Sequence, residues 1–289
     1  MQIVTDTGMD LHFPKEMMPD VKIHVMPQII TIEGVSYRSG VDITPETLYP
    51  LLEKQGVYPT TSLPSAGEFA ELYRKVAAED PDILSIHMSS GLSGTYNAAC
   101  AGAEMVPEAN ITLYDTKTLC AALGWQVWAA GRAIAAGWSV EQILALVKQV
   151  GDATESMYTL KDLKYLIHGG RISHMKGLIA SALRIKPLIG VEKVGGTYTQ
   201  MGMARSFSSA LDGLIKQMLR YHPAGSALRT QVLHSYNPEG AAMLREKVEA
   251  VYQCDWLPTF PMSPPLGAHT GPTMTGVAFA AAHVFTNIP

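Results

Sequence analysis

Ile83-Leu84-Ser85-Ile86-His87-Met88 runs into Ser89-Ser90-Gly91-Leu92-Ser93-Gly94-Thr95, and that segment leads into residues 96–103, Tyr-Asn-Ala-Ala-Cys-Ala-Gly-Ala. The first six residues read as a strand and 96–103 as a helix, so the stretch is one βα unit of a parallel sheet. The turn between them holds two glycines and four hydroxyl residues. A turn of small residues opening a helix gathers unpaired backbone N–H groups. Together with the helix dipole and the hydroxyls they suit an anion, a carboxylate or a phosphate. In an open α/β sheet this is also the strand end at which ligands bind. A turn whose serines only cap the helix would carry the same sequence, and local pattern leaves both readings open.

Working outward, the same alternation continues. Met1–Thr5, Lys22–Pro27 and Ile111–Tyr114 read as further strands. Gly67–Ala78 carries Phe69, Leu72, Tyr73 and Val76 at helical spacing, with Ser65 and Glu68 placed as a capping box. Helices follow over Leu119–Ala136 and Val140–Val150, the second opened by Ser139. The second half changes character. Met157–Leu160 is expected as a strand and Lys161–His168 as a helix closed by Gly169-Gly170, with a further helix over Gly177–Arg184. Leu188–Glu192 and Thr197–Met203 form a hairpin through Gly195-Gly196. Helices at Phe207–Tyr221 and Glu239–Tyr252 alternate with strands at Thr230–Ser235, Trp256–Pro261 and Gly276–Ala282. The expectation is an α/β protein of two domains. Residues 1–153 form a parallel-sheet domain and 154–289 a mixed-sheet one.

Composition narrows the function classes. With 47% hydrophobic and 17% charged residues among 289, the chain can bury a sizeable core. A formal net charge of −4 offers no long-range attraction for nucleic acid or an anionic membrane. Cys100, Cys120 and Cys254 are too scattered for a disulfide framework or a thiolate metal site. No basic leader opens the sequence, and the apolar region Leu119–Gly137 is interrupted by Gln126 and Arg132. It reads as a buried helix, and the chain as cytoplasmic with at most transient membrane contact.

Four more segments carry candidate chemistry. Thr60-Thr61-Ser62-Leu63-Pro64-Ser65 is a second hydroxyl cluster, read as a rigid turn between prolines. His168-Gly169-Gly170-Arg171-Ile172-Ser173 and Met203-Ala204-Arg205-Ser206 each present an arginine, whose planar fork can bond both oxygens of a carboxylate or phosphate. Gly267-Ala268-His269-Thr270-Gly271-Pro272 reads as a rigid loop placing one imidazole. A solvated arginine and a loop histidine are the plainer alternatives for these. No G-x-x-x-x-G-K-[ST] or G-x-G-x-x-G motif is present. Gly91-Leu92-Ser93-Gly94-Thr95 misses the nucleophile-elbow spacing by one position. No histidine pair has the HExxH form, so no metal site is expected.

Taken in order, these segments resemble the DegV family over almost the whole chain. Ile3-Val4-Thr5-Asp6-Thr7-Gly8-Met9-Asp10-Leu11 is similar to its I-V-T-D-S-x-x-D-L opening, and Thr61-Ser62-Leu63-Pro64-Ser65 to its T-S-Q-P-S. Ile86 through Tyr96 resembles I-x-x-S-S-x-L-S-G-T-Y. Gly169-Gly170-Arg171-Ile172-Ser173, Ile185-Lys186-Pro187 and Ala268-His269-Thr270-Gly271-Pro272 also fall in the family's order. Leu63 stands where the family has glutamine, His168 replaces the usual lysine, and Thr273-Met274-Thr275-Gly276 is more polar than the usual small-residue run.

The resemblance implies a lipid-binding protein and not an enzyme, with a long-chain fatty acid held between the domains and no cofactor. It implies a head-group site at Thr61, Ser62, Ser93, Gly94, His269 and Thr270, with Arg171 and Arg205 near the mouth. It further implies that the acid is presented to a separate fatty acid kinase and that the acyl phosphate product is then carried. Two other classes use the same residues. One is a serine hydrolase with Ser93 as nucleophile and His269 as base. The other is an enzyme of phosphosugars or nucleotides that takes phosphate at the helix terminus.

Overall fold

In the computed structural model, which describes residues 1–172 and 185–289, the chain builds two principal sheets and a small third one. The strands and helices of the first half are β1 (Gln2–Asp6), β2 (Ile23–Met26), β3 (Ile29–Ile32), β4 (Val35–Arg38), α1 (Pro45–Gln55), β5 (Thr60–Ser62), α2 (Ala66–Ala77), β6 (Asp82–His87), α3 (Thr95–Glu104), β7 (Asn110–Asp115), α4 (Cys120–Ala135) and α5 (Val140–Ala153). The second half supplies β8 (Glu155–Thr159), α6 (Lys164–His168), β9 (Lys186–Val191), β10 (Tyr198–Ala204), α7 (Phe207–Tyr221), β11 (Ala227–His234), α8 (Pro238–Glu249), β12 (Gln253–Trp256), β13 (Phe260–Pro261), α9 (Pro264–Thr270) and β14 (Thr275–Ala281).

The first sheet has the order β2-β1-β6-β7 and is parallel throughout. Strand order reverses at β1, so the crevice between the carboxyl ends of β1 and β6 is the topological switch point. The expected βα unit is there: β6 is buried from Ile83 onward, and α3 begins at Thr95. The second sheet has the order β10-β9-β8-β14-β11-β12, with β13 also paired to β11. Its pairings are antiparallel except those of β12 and β13 to β11. The α/β class with one parallel and one mixed sheet is as the alternation indicated.

Helix α4 shows how the halves are joined. Its alanines and glycines allow close approach: Gly124 lies against the Asp10 backbone and Gly131 against Pro19. It is buried on nearly every face, in a core shared by Ile3, Leu84 and Ile86 of the first sheet and by Ile189, Leu233 and Ala278 of the second. Trp125 donates its indole N–H to Gln231 Oε1 at 2.8 Å. The apolar run Leu119–Gly137 is thus an inter-sheet helix, and among the described residues no helix is long and apolar enough to cross a membrane.

Capping chemistry behaves as read. Ser65 accepts from the Glu68 N–H at 3.2 Å while Glu68 accepts from the Ser65 N–H at 2.7 Å. Helix α6 ends at the Gly169-Gly170 pair, with Gly170 at φ +75°. Other segments differ from expectation. Of Trp256–Pro261, only Trp256, which ends β12, and Phe260–Pro261, which form β13, are in strands; Pro258 between them has no N–H for a continuous ladder. Thr60–Ser62, read as a turn, is strand β5, paired antiparallel to β3. The β3–β4 hairpin, which turns at Glu33-Gly34 with both φ positive, was not anticipated. Nor was α1, which starts with Pro45 behind a Thr44 capping box. The expected Gly177–Arg184 helix lies outside the described residues.

Candidate head-group site at the switch point

A cleft of about 30 Å³ opens at the switch point, lined by Gln28, Thr61, Met88, Leu92, Ser93, Arg171, Tyr198, Pro265, Leu266 and His269. Both principal sheets contribute. Met88, Leu92 and Ser93 come from the turn after β6, Tyr198 from β10, and His269 from α9. The volume suits a head group of a few atoms.

The turn is held rigidly before it reaches the cleft. Asp6, at the end of β1, accepts from the Gly8 N–H at 2.8 Å and the Met88 N–H at 3.1 Å. Its Oδ2 also bonds His87 Nδ1 at 2.9 Å, and His87 Nε2 lies 2.7 Å from Ser85 Oγ. Asp6, His87 and Ser85 have the order of a hydrolase triad, but all three are fully buried, and Ser85 Oγ also bonds the Tyr73 hydroxyl. They brace the sheet end and cannot meet a substrate. Ser89 donates to Gly196 O at 2.8 Å and accepts from the Gly91 N–H at 3.1 Å, which ties the turn to the β9–β10 connection. Ser90 accepts from Lys117 Nζ at 3.0 Å. Ser89 and Ser90 are therefore structural and Thr95 is fully buried, while Ser93 is left to face the cleft.

Thr61 and His269 meet. Thr61 Oγ1 lies 2.7 Å from His269 Nε2, although 208 residues separate them. His269 is not on a loop: it sits in the last turn of α9, which begins with Pro264-Pro265. Two prolines at a first turn are compatible with helix. Burial pushes the His269 pKa down to about 3, and the Arg171 charge acts in the same direction. The imidazole is therefore neutral at physiological pH. Among the described residues its Nδ1 has no hydrogen-bond partner, and that edge lies against Gly169, where any side chain would collide with it. This explains the first glycine of the Gly169-Gly170 pair. Arg171 lines the cleft and donates to Gly169 O at 2.8 Å.

The other expected residues are placed differently. Ser62 alternates to the outer face of β5 and is exposed. Gly94 is the N-cap of α3 and lies beside the Leu63 side chain. Thr270 is buried, bonding Ser235 Oγ and Leu266 O at 3.1 Å each, and supports α9 from behind. Arg205 is not at the cleft. It borders a separate apolar hollow of about 630 Å³ with Ile185, Leu188, Met203 and Lys216, between β9, β10 and α7. Gln28, Tyr198 and Leu266 were missed. Gln28 had one signal, a polar residue between the apolar runs of β2 and β3.

The hydrolase alternative finds no support in this arrangement. His269 Nε2 is engaged by Thr61, and the hydrogen bonds of Ser93 Oγ among the described residues go to Thr95. Hydroxyls, a neutral imidazole and one arginine line the cleft, a combination whose chemistry suits a small anion, with apolar Met88, Leu92 and Leu266 beside it.

A family model described as "Uncharacterised protein, DegV family" matches residues 1–282. A DegV domain-containing protein of Deinococcus radiodurans is 34% identical over 278 residues, covering 96% of this chain and 94% of that one. The fold is shared with a fatty-acid-binding DegV family protein from Thermus thermophilus, at 26% identity and TM-score 0.84 over 97% of this chain and 99% of that one. It is shared equally with DegV, a fatty acid binding protein from Bacillus subtilis, at 26% identity and TM-score 0.84 over 97% and 98%. The family match over residues 1–282, the similarity to the Deinococcus protein and the shared two-sheet fold agree, and the chain belongs to the DegV family.

Proposed function

We propose that this protein binds a long-chain fatty acid, with the carboxylate in the switch-point cleft, and presents it to a separate fatty acid kinase in the cytoplasm. The observation that carries the reading is the convergence of Ser93, Thr61–His269 and Arg171 on one cleft. These groups supply hydroxyl and guanidinium donors to a buried carboxylate that would otherwise lose several kcal/mol on leaving water. Fatty acid binding by DegV structures of the same fold supports it. Burying a sixteen-carbon tail offers roughly 10 kcal/mol before ordering costs, at about 0.8 kcal/mol per CH₂. In this reading residues 1–153 carry the head-group turns and 154–289 house the acyl chain.

An acyl phosphate bears more negative charge than the acid, so Arg171 at the cleft matters most for the product, and Arg205, which lies away from the cleft, for the kinase encounter. Arg171→Ala then weakens fatty acid binding less than Ser93→Ala does. Native mass spectrometry of the protein as purified tests the reading. A co-purified long-chain acid is expected, and a bound nucleotide or a chain that takes up no added fatty acid would refute it.

A further inference from the structure

Gln28 lies at the joint between β2 and β3, is 5% exposed, and borders the cleft beside Thr61, Ser93 and His269. Its backbone N–H donates to Thr7 Oγ1 at 2.9 Å, which pins it to the end of β1. Its side-chain Nε2 donates to Thr95 Oγ1 at 3.1 Å and to Met88 Sδ at 3.0 Å. Thr95 Oγ1 in turn lies 2.8 Å from Ser93 Oγ, and the Thr95 backbone N–H donates to the same Ser93 oxygen at 3.3 Å.

The direction of this chain follows from what each group can do. An amide N–H only donates, whereas a hydroxyl has one hydrogen and two lone pairs. Thr95 Oγ1 therefore accepts from Gln28. Thr95 is fully buried, and Ser93 is the remaining side-chain partner of its hydroxyl among the described residues. If Ser93 donated to Thr95, the Thr95 hydrogen would be stranded in the interior, which is costly. The arrangement that keeps both Gln28 Nε2 and the Thr95 hydrogen paired has Thr95 donating to Ser93, with Gln28 Oε1 the one buried atom of the chain that has no partner among the described residues. Ser93 Oγ then accepts twice, from the Thr95 hydroxyl and the Thr95 N–H, and its lone pairs are filled. Its hydrogen is its only remaining capacity, and the cleft is where it can be used. Successive donation also polarises each hydroxyl in the chain.

We propose that Gln28 is a positioning residue that fixes Ser93 as a hydrogen-bond donor, and so selects a carboxylate head group over a neutral head group on the same acyl chain. The inference rests on the fatty acid reading above and adds the residue that sets head-group selectivity. A carboxylate accepts and cannot donate, so it needs Ser93 in this orientation. A fatty alcohol both donates and accepts, and is indifferent to the direction of the chain.

The test is the ratio of dissociation constants for a long-chain fatty acid and the alcohol of equal length, measured on wild type, Gln28→Leu, Thr95→Val and the double variant. Gln28→Leu is expected to weaken the acid about tenfold, the worth of one hydrogen bond, with alcohol binding changed less than about twofold. Thr95→Val breaks the same chain and is expected to shift the ratio alike, with no further shift in the double variant. A loss of packing alone would weaken acid and alcohol together. Parallel weakening, an unchanged ratio in both single variants, or additive shifts would overturn the inference while leaving fatty acid binding intact. A wild-type protein that binds neither ligand would overturn the fatty acid reading and this inference with it.

Discussion

Gly91→Ala tests whether the head-group turn and the β9–β10 connection must lie in contact. A methyl group at Gly91 would fall well inside contact distance of Gly195 O, and 3.0 Å from both Gly196 O and Thr197 Cγ2. Two of these three atoms are backbone carbonyl oxygens, which cannot rotate out of the way as a side chain can. Gly91 is not among the glycines with positive φ, so alanine brings no backbone strain of its own. The cost is therefore steric, about 1–3 kcal/mol for overpacking. If the two segments separate to relieve it, the Ser89–Gly196 hydrogen bond is lost as well, another ~1 kcal/mol. The sum, about 2–4 kcal/mol, leaves a domain of ordinary stability folded. Ser93 lies two residues beyond Gly91 and Tyr198 two beyond Gly196, and both line the cleft, so separation also widens that cleft. Urea denaturation and fatty acid affinity are the measurements. Both are expected to fall. A stability within about 0.5 kcal/mol of wild type, with unchanged affinity, would refute the claim that this contact holds the cleft.

Two further outcomes follow from the same geometry. Burial raises the Asp10 pKa from 3.8 to about 6, against the hydrogen bonds from Cys120 Sγ and the Ser263 N–H. A carboxyl with a raised folded-state pKa contributes stability below about pH 4 that is lost as pH rises through 6, about 3 kcal/mol for two pKa units. Asp10→Asn is expected to remove that slope, seen as a gain relative to wild type that grows between pH 4.5 and 7.5 in urea unfolding; a constant difference would contradict it. Thr61→Val deprives His269 Nε2 of its partner in a buried site and is expected to cost about 1–3 kcal/mol in thermal unfolding. Fatty acid affinity should drop too, and an unaffected affinity would remove Thr61 from the head-group site.

The neutrality of His269 bears on how these experiments are read. Its folded-state pKa of about 3 lies below the ordinary histidine value of 6.5, so its contribution to stability is whole above 6.5 and declines as pH falls toward 3. That slope opposes the Asp10 slope. A difference between Asp10→Asn and wild type cancels the histidine part, whereas the pH profile of wild type alone mixes the two.

What the sequence by itself determined was local. The period-two and helical patterns placed β1, β2, β6, β7, α2, α5 and α7 within a few residues. Caps at Ser65 and Ser139 and the glycine stop after His168 formed as their chemistry requires, because each depends on neighbours within four residues. Segments whose form depends on distant partners were harder to read. Strand β5 is three residues long and exists because β3 offers it a ladder. Helix α9 is seven residues long, too short to hold alone in water, and is kept by its burial. The site shows the same division. Ser93 and Thr61 were legible as hydroxyls on small-residue segments, but only the fold brought Thr61 to His269. Only the fold turned Ser62 outward, sent Arg205 to a separate hollow and placed Gln28 at the switch-point cleft. The reason is physical: a side chain's chemistry travels with the residue, whereas its direction and its partners are settled by long-range strand pairing and by the helix wedged between two sheets.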